Sequence, residues 1–292
     1  MRQRTYERYE QMVRVHIKPS LGRVKLKTLN AARVRGLYRE KLDAGLAART
    51  VRYIHTTLNK ALKDALADGL ISRNVASAVR PPKLSMKEIR PLSPEQAGAF
   101  LVAARRDRFE ALYVVAITAG LREGELLGLT WDNVDLESGT LSVRRTLSEA
   151  RNERFFEPPK NGKGRSIRMT ARATDALKRH KATQNGERLR LGALWQDNDL
   201  VFPSRVGTPM NAKNLTARSF KRLLEQAGLP RTVRFHDLRH TCATLLLGKG
   251  VHPKIVQELL GHATISITLD TYSHVLPNMQ GEAVTAMEAA LK

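Results

Sequence analysis

A chain of 292 residues is long enough for one large or two ordinary domains, and 42% hydrophobic content is enough for real cores. The formal net charge of +22 and a pI near 10.6 fit poorly with an enzyme for a small neutral molecule and well with a polyanion, nucleic acid first. No stretch reaches 18 apolar residues and the opening MRQRTYERYE lacks the apolar centre of a signal peptide, so no membrane helix is expected. The single Cys242 cannot form an internal disulfide, which suits a reducing cytoplasm.

Residues 1–90 hold 21 Lys and Arg against 7 Asp and Glu, so 14 of the 22 net positive charges fall in the first third of the chain. From Thr5 to Val79 apolar residues recur at helical spacing. The clearest case is TVRYIHTTLNKALKDALADGLI (50–71), where Val51, Ile54, Leu58, Leu62 and Leu66 form one stripe. This predicts a small all-helical domain, residues 1–84, whose polar faces offer Arg49, Arg52, Lys60 and Lys63 to a phosphate backbone, with a break at PSLG (19–22). The proline-rich and charged RPPKLSMKEIRPLSPEQ (80–96) reads as a linker, assigned to residues 85–92. A second domain, 93–292, then opens on a capping box of Ser93 and Gln96 with Pro94 at the first helical position.

Within that domain ALYVVAITAGL (111–121) predicts a buried helix. GTLSVRRTL (139–147), RFFEP (154–158) and GRSIRMT (164–170) predict one small antiparallel sheet, with KNGKG (160–164) as a tight hairpin turn. After it the helical period is expected to hold to the end, with Gly228, Gly250 and Gly261 as helix stops. A terminal helix over NMQGEAVTAMEAALK (278–292) carries Val284, Met287 and Leu291 as its apolar stripe. Cys242, in the apolar run TCATLLL, reads as a core residue.

HDLRH (236–240) places two histidines one helical turn apart beside an acid, close to a zinc-hydrolase layout with His262 as a third ligand and Asp237 as base. Arg239 shares the His236 face and puts a fixed cation where the metal would sit, which favours a phosphate over a metal. Four stretches carry the remaining candidates: TAGLREGELLGL (118–129), PPKNGKGRSI (158–167), FHDLRHTCATLLL (235–247) and LLGHATISITLDTYSHV (259–275). In this order they resemble the tyrosine recombinases of the phage-integrase family over nearly the whole chain. The resemblance implies a mainly α fold with a small antiparallel sheet, arranged as a two-domain clamp of a helical core-binding domain and a mixed α/β catalytic domain. It implies a site-specific recombinase that cuts and rejoins DNA through a 3′-phosphotyrosine, with neither metal nor nucleotide cofactor.

The resemblance also implies the site. Tyr272 is the nucleophile, in preference to Tyr6, Tyr9, Tyr38, Tyr53 and Tyr113, which fall in the helical domain or the apolar helix. Arg122 and Arg239 stabilise the charge that gathers on the non-bridging oxygens, and guanidinium suits that task better than an ammonium. Glu125, three residues on, orients Arg122, whose charge at a buried helix end needs a partner. Lys160, five residues before Arg165, protonates the leaving 5′-oxygen, with Lys163 as the alternative. His236 is either the acceptor of the Tyr272 proton or a hydrogen-bond partner of a phosphate oxygen, and His262 binds another oxygen. His240 lies outside the family's catalytic set and reads as packing or capping.

Expected partners are core attachment sites in double-stranded DNA and three further copies of the chain on paired sites, the free protein being monomeric. Accessory DNA-bending or directionality proteins are also expected, in a bacterial or phage-infected cell. The chain begins at the core-binding region, ahead of which integrases often carry an arm-binding domain. Two alternatives outside recombination use parts of this reading: a type IB topoisomerase, with the same chemistry, and a non-catalytic DNA-binding regulator, which leaves the ordered Arg, Lys, HxxR, GH and Tyr without a use.

Overall fold

The computed structural model describes residues 2–84, 90–151, 153–159, 162, 164–273, 284 and 287–291. Two compact units emerge, Met1–Glu88 with Ala150–Asn152, and Ile89–Glu149 with Glu153–Lys292.

The first unit is helical. Helix α1 (Gln3–Gln11) runs through a π-helical stretch, Met12–Ile17, into α2 (Lys18–Leu21), so the expected break at PSLG falls at its last residue, Gly22. Pro19 is tolerated because it sits in the first turn of α2 after the widened stretch. Helices α3 (Ala31–Asp43) and α4 (Ala48–Ala67) complete the unit, and α3 starts where the Asn30 side chain accepts a hydrogen bond from the Arg33 amide. Val51, Ile54, Leu58 and Leu62 of α4 are buried with Val34, Leu37 and Tyr38 of α3, whereas Leu66, at the end of the stripe, is exposed. Arg49, Arg52, Lys60 and Lys63 are all exposed.

In the second unit α5 (Pro94–Ala103) begins with both reciprocal bonds of the Ser93–Gln96 capping box. Helix α6 (Glu110–Ala119) is buried from Ala111 to Ile117 and packs against α8 (Ala171–Leu191) and α11 (Asp237–Gly248). Phe100, Tyr113, Phe220 and Phe235 pack ring on ring at its core, and the Tyr113 hydroxyl bonds Ser219 at 2.6 Å. A short α7 (Glu123–Leu127) leads to the strands.

The single predicted sheet is two. Strands β1 (Val134–Asp135), β2 (Thr140–Val143) and β5 (Arg165–Arg168) form one antiparallel sheet in the order β1-β2-β5, while β3 (Thr146–Ala150) pairs β4 (Glu153–Glu157) in another. The predicted strand 139–147 therefore splits near Arg144, and β2 pairs β5 with Thr140 opposite Arg168 and Val143 opposite Arg165. Strands β4 and β5 belong to different sheets and do not pair as a hairpin; of the expected turn between them, Lys160, Asn161 and Lys163 lie outside the described residues.

The helical period does not hold after α8. Residues 195–211 are largely irregular, because Pro203 and Pro209 lack amide donors and Gly207 adopts a positive φ with no room for a Cβ against the Gln196 carbonyl. Helices resume with α9 (Ala212–Leu215), α10 (Lys221–Gln226), α11, α12 (Pro253–Leu260) and α13 (Ile265–Tyr272). Gly228, Gly250 and Gly261 all take the left-handed conformation of helix stops. Most of the terminal segment 278–292 lies outside the described residues, and its Val284, Met287 and Leu291 are exposed. Among the described residues no helix is long and apolar enough to cross a membrane.

Candidate active site

Helix α6 ends at Gly120, whose φ of 62° and whose closeness to Leu260 and Cys242 leave no place for a Cβ. The chain turns there and delivers Arg122 as the N-cap of α7, with Glu125 at the third helical position. The Glu125 carboxylate accepts from the Arg122 backbone amide at 3.0 Å and from Arg122 Nη1 at 2.7 Å. It also accepts both terminal nitrogens of Arg165 on β5, at 3.1 and 2.7 Å. Glu125 is 2% exposed, and burial alone would raise its carboxyl. The hydrogen bonds and charge of Arg165, followed by those of Arg122, prevail and hold it at about 2.

The end of α12 supplies the other half of the frame. Its final carbonyls have no partner within the helix, and each of three consecutive ones meets a different guanidinium. Leu259 O accepts from Arg165 Nε at 2.8 Å, Leu260 O from Arg239 Nη2 at 2.6 Å, and Gly261 O from Arg122 Nη2 at 3.4 Å. The negative end of the helix dipole favours cations at this place. Gly261 is required twice over, by its φ of 64° and by Arg165, which a Cβ would approach to 3.0 Å. Arg239 also donates from Nη1 to Gly120 O at 2.7 Å and is 2% exposed, whereas Arg122 is 31% exposed and opens to solvent. Burial, then the charge of Arg122, pulls Arg239 down to about 9, so it stays protonated at neutral pH.

His236 caps α11 and His262 follows Gly261. Burial and the neighbouring charges, His240 and Arg239 chief among them for His236 and Arg239 for His262, hold each near 4. Although His236 keeps an exposed face, both rings are neutral at neutral pH. His262 Nδ1 shares a hydrogen bond with the Thr268 hydroxyl at 2.9 Å, and Thr268 is fully buried on α13. If the hydroxyl donates, the ring proton resides on Nε2, free for another partner.

Tyr272 is the last residue of α13 and is 2% exposed, packed among Ala243, Leu247, Val256 and Leu260. Its hydroxyl meets His240 Nδ1 at 2.7 Å. The expected packing role of His240 holds, since one turn along α11 from His236 brings its ring onto the phenol, and the hydrogen bond comes in addition to it. The His236 ring meets that of His240 edge-on, with ring centres 4.9 Å apart. Burial raises Tyr272 to about 12 despite the opposing charge of Arg239.

The expected residues Arg122, Glu125, Arg239 and His262 are joined through the end of α12, with His236, His240 and Tyr272 alongside. Asp237 accepts the Arg234 amide at 2.7 Å and its guanidinium, so this acid serves the start of α11. Among the described residues no group of three or more His, Cys, Asp or Glu is placed to hold a metal. Three permanent cations around one carboxylate leave a surplus of positive charge that matches a phosphodiester. Sequence reasoning missed Arg165 as a site residue. Its signal was strand alternation, since it shares the inward face of β5 with buried Ile167, an unusual place for an unpaired charge.

Residues 91–279 match the Phage integrase family. The chain is 30% identical to a tyrosine recombinase XerC-like protein of Caldanaerobacter subterraneus subsp. tengcongensis, an alignment covering 97% of this chain and 77% of that protein. Its fold is similar to the Tn1549 transposon integrase in complex with a circular intermediate DNA (TM-score 0.82, 23% identity, 99% of this chain and 94% of the other). It is similar also to a lambda integrase tetramer bound to a Holliday junction (TM-score 0.64, 21% identity, 96% and 73%).

Proposed function

Because the chain belongs to the phage integrase family and is a site-specific tyrosine recombinase, we propose that the site on α7, β5, α11, α12 and α13 carries the reaction with Tyr272 as nucleophile. The Tyr272 oxygen bonds to the scissile phosphorus as the bond to the 5′-oxygen breaks, leaving a 3′-phosphotyrosine and a free 5′-hydroxyl. Attack by a 5′-hydroxyl from a partner strand reverses the step and rejoins DNA, so the bond energy is conserved and no nucleotide is consumed. Arg122 and Arg239 hold the non-bridging oxygens, where fixed donors lower the barrier by a few kcal/mol each, roughly 3 for one such donor. Glu125 and Arg165 keep Arg122 in place, and neutral His236 and His262 each supply a ring nitrogen to the phosphate. Lys160 protonates the leaving 5′-oxygen, with Lys163 its alternative.

The observation that carries this reading is the set of three guanidiniums fixed by consecutive carbonyls at the end of α12, one short helix before Tyr272. Double-stranded DNA is the substrate and a multimer on paired sites the working form, as the lambda integrase tetramer on a Holliday junction supports; four copies are the proposed number. The exposed Arg49, Arg52, Lys60 and Lys63 then serve the phosphate backbone. The test is Tyr272→Phe on a nicked target duplex that traps the covalent complex. The variant should bind DNA nearly as well as the parent protein and form no adduct; an adduct that persists refutes the assignment.

A further inference from the structure

The hydroxyl of Tyr272 touches His240, a residue for which phosphate binding gives no use. We propose that His240 is a catalytic residue of the strand-cleavage step, its Nδ1 accepting the Tyr272 proton as the phenol oxygen bonds to phosphorus. This inference rests on the reading of Tyr272 as nucleophile.

The phenol is a weak nucleophile as it stands. At a value of about 12, only about one Tyr272 in 10⁵ is ionised at pH 7, and the side chain is 2% exposed, so bulk water is a poor acceptor. An attacking oxygen in that setting needs a base in contact with it. His240 Nδ1 stands at 2.7 Å, within the range of an O–H···N bond. Burial lowers the imidazole, so it is neutral, and in the tautomer with its proton on Nε2 the Nδ1 lone pair accepts from the phenol. Once protonated, it faces the Asp237 carboxylate from one turn earlier on α11, which favours the imidazolium, while Arg234 and Arg239 oppose it. His236 is the rival base. Its ring packs edge-on against that of His240, at 4.9 Å between centres, and it is held near 4, whereas the hydrogen bond of the phenol goes to His240.

A tyrosine–histidine contact is not sufficient in itself. The first unit has one of the same length, Tyr38 Oη to His55 Nδ1 at 2.7 Å. What separates the second pair is its setting, since Tyr272 lies within the field of Arg239, whose guanidinium belongs to the fixed arginine set. The step balances. At cleavage the O–P bond to Tyr272 forms, the P–O5′ bond breaks, the phenol proton passes to Nδ1, and the departing oxygen takes its proton from the lysine of the 160–163 segment. At ligation the 5′-hydroxyl displaces the tyrosine, the lysine recovers a proton, and His240 returns its own to the phenol oxygen.

The test measures adduct formation in a single turnover, with full-length protein saturating a nicked duplex and the adduct mapped by peptide. His240→Asn places an amide oxygen near the Nδ1 position, keeping an acceptor for the phenol that cannot take up the proton. His240→Ala removes both. Adduct formation should slow about 10²- to 10⁴-fold in each, the ordinary worth of a general base, with DNA affinity unchanged. A fluorinated tyrosine of lower pKa at position 272 should restore much of that rate in either variant and change the parent little. His240→Asn cleaving at the parent rate, with the adduct on Tyr272, overturns the role of His240 and leaves the nucleophile standing. A slow variant that the acidified tyrosine does not accelerate, or a His240→Ala that cleaves faster than the parent, also overturns it. An adduct on any other residue overturns both readings.

Discussion

Replacing Glu125 by Gln removes the one buried negative charge among three guanidiniums while keeping the side chain's shape. Glu125 is 2% exposed, and its fall from an ordinary 4.5 to about 2 means that the folded protein favours the ionised form by about 3 kcal/mol, at about 1.4 kcal/mol per tenfold change. Since the folded value lies below the unfolded one, this stabilisation is complete above about pH 5 and disappears as pH falls through 4.5 toward 2. Glu125→Gln should therefore lower stability by about 3 kcal/mol at pH 7, and by only about 1 kcal/mol at pH 3, where protonation has already removed most of the parent's advantage. Urea unfolding of both proteins at the two pH values measures the gap. Arg122 would also lose the charge of its partner at 2.7 Å, and misplacement of a catalytic group by about 1 Å costs on the order of 10²-fold in cleavage rate. A gap that is equal at pH 7 and pH 3, or a cleavage rate equal to the parent's, would refute the view that Glu125 acts as a charged anchor.

Lys160→Ala should be rescued by a substrate whose 5′-bridging oxygen is sulfur, because a thiolate leaves without a proton; rescue of Lys163→Ala alone would move the acid to that residue. Gly261→Ala forces a Cβ into the left-handed region and to within 3.0 Å of Arg165, so it should destabilise the protein by at least about 1–2 kcal/mol and slow cleavage. A fully active and stable variant would show that the end of α12 does not position the arginines. DNA affinity should fall steeply with salt, and changing Arg49, Arg52, Lys60 and Lys63 together to Gln should flatten the slope by about 0.9 for each phosphate they had neutralised. An unaltered slope would place the backbone contacts elsewhere.

Sequence alone determined much of the local structure. The stripe Val51, Ile54, Leu58 and Leu62, the Ser93 capping box and the stops at Gly228, Gly250 and Gly261 are effects of neighbours within a few residues, and the chain states them directly. The order Arg, HxxR, GH and Tyr likewise supplied the residues from which the proposed site is built. Tertiary structure decided who touches whom. The two sheets came from β2 choosing β5 as its partner, a choice that period-2 alternation cannot express because it reports a buried face and not the strand beside it. The arginines meet because α12 ends where residues 139, 94 and 21 positions away in sequence donate to its last carbonyls. On paper HDLRH offers His236 for chemistry and leaves His240 to packing or capping. Only the placement of α13 against α11 gives the phenol to His240, since helix periodicity fixes which residues share a face but not which helix end packs upon it.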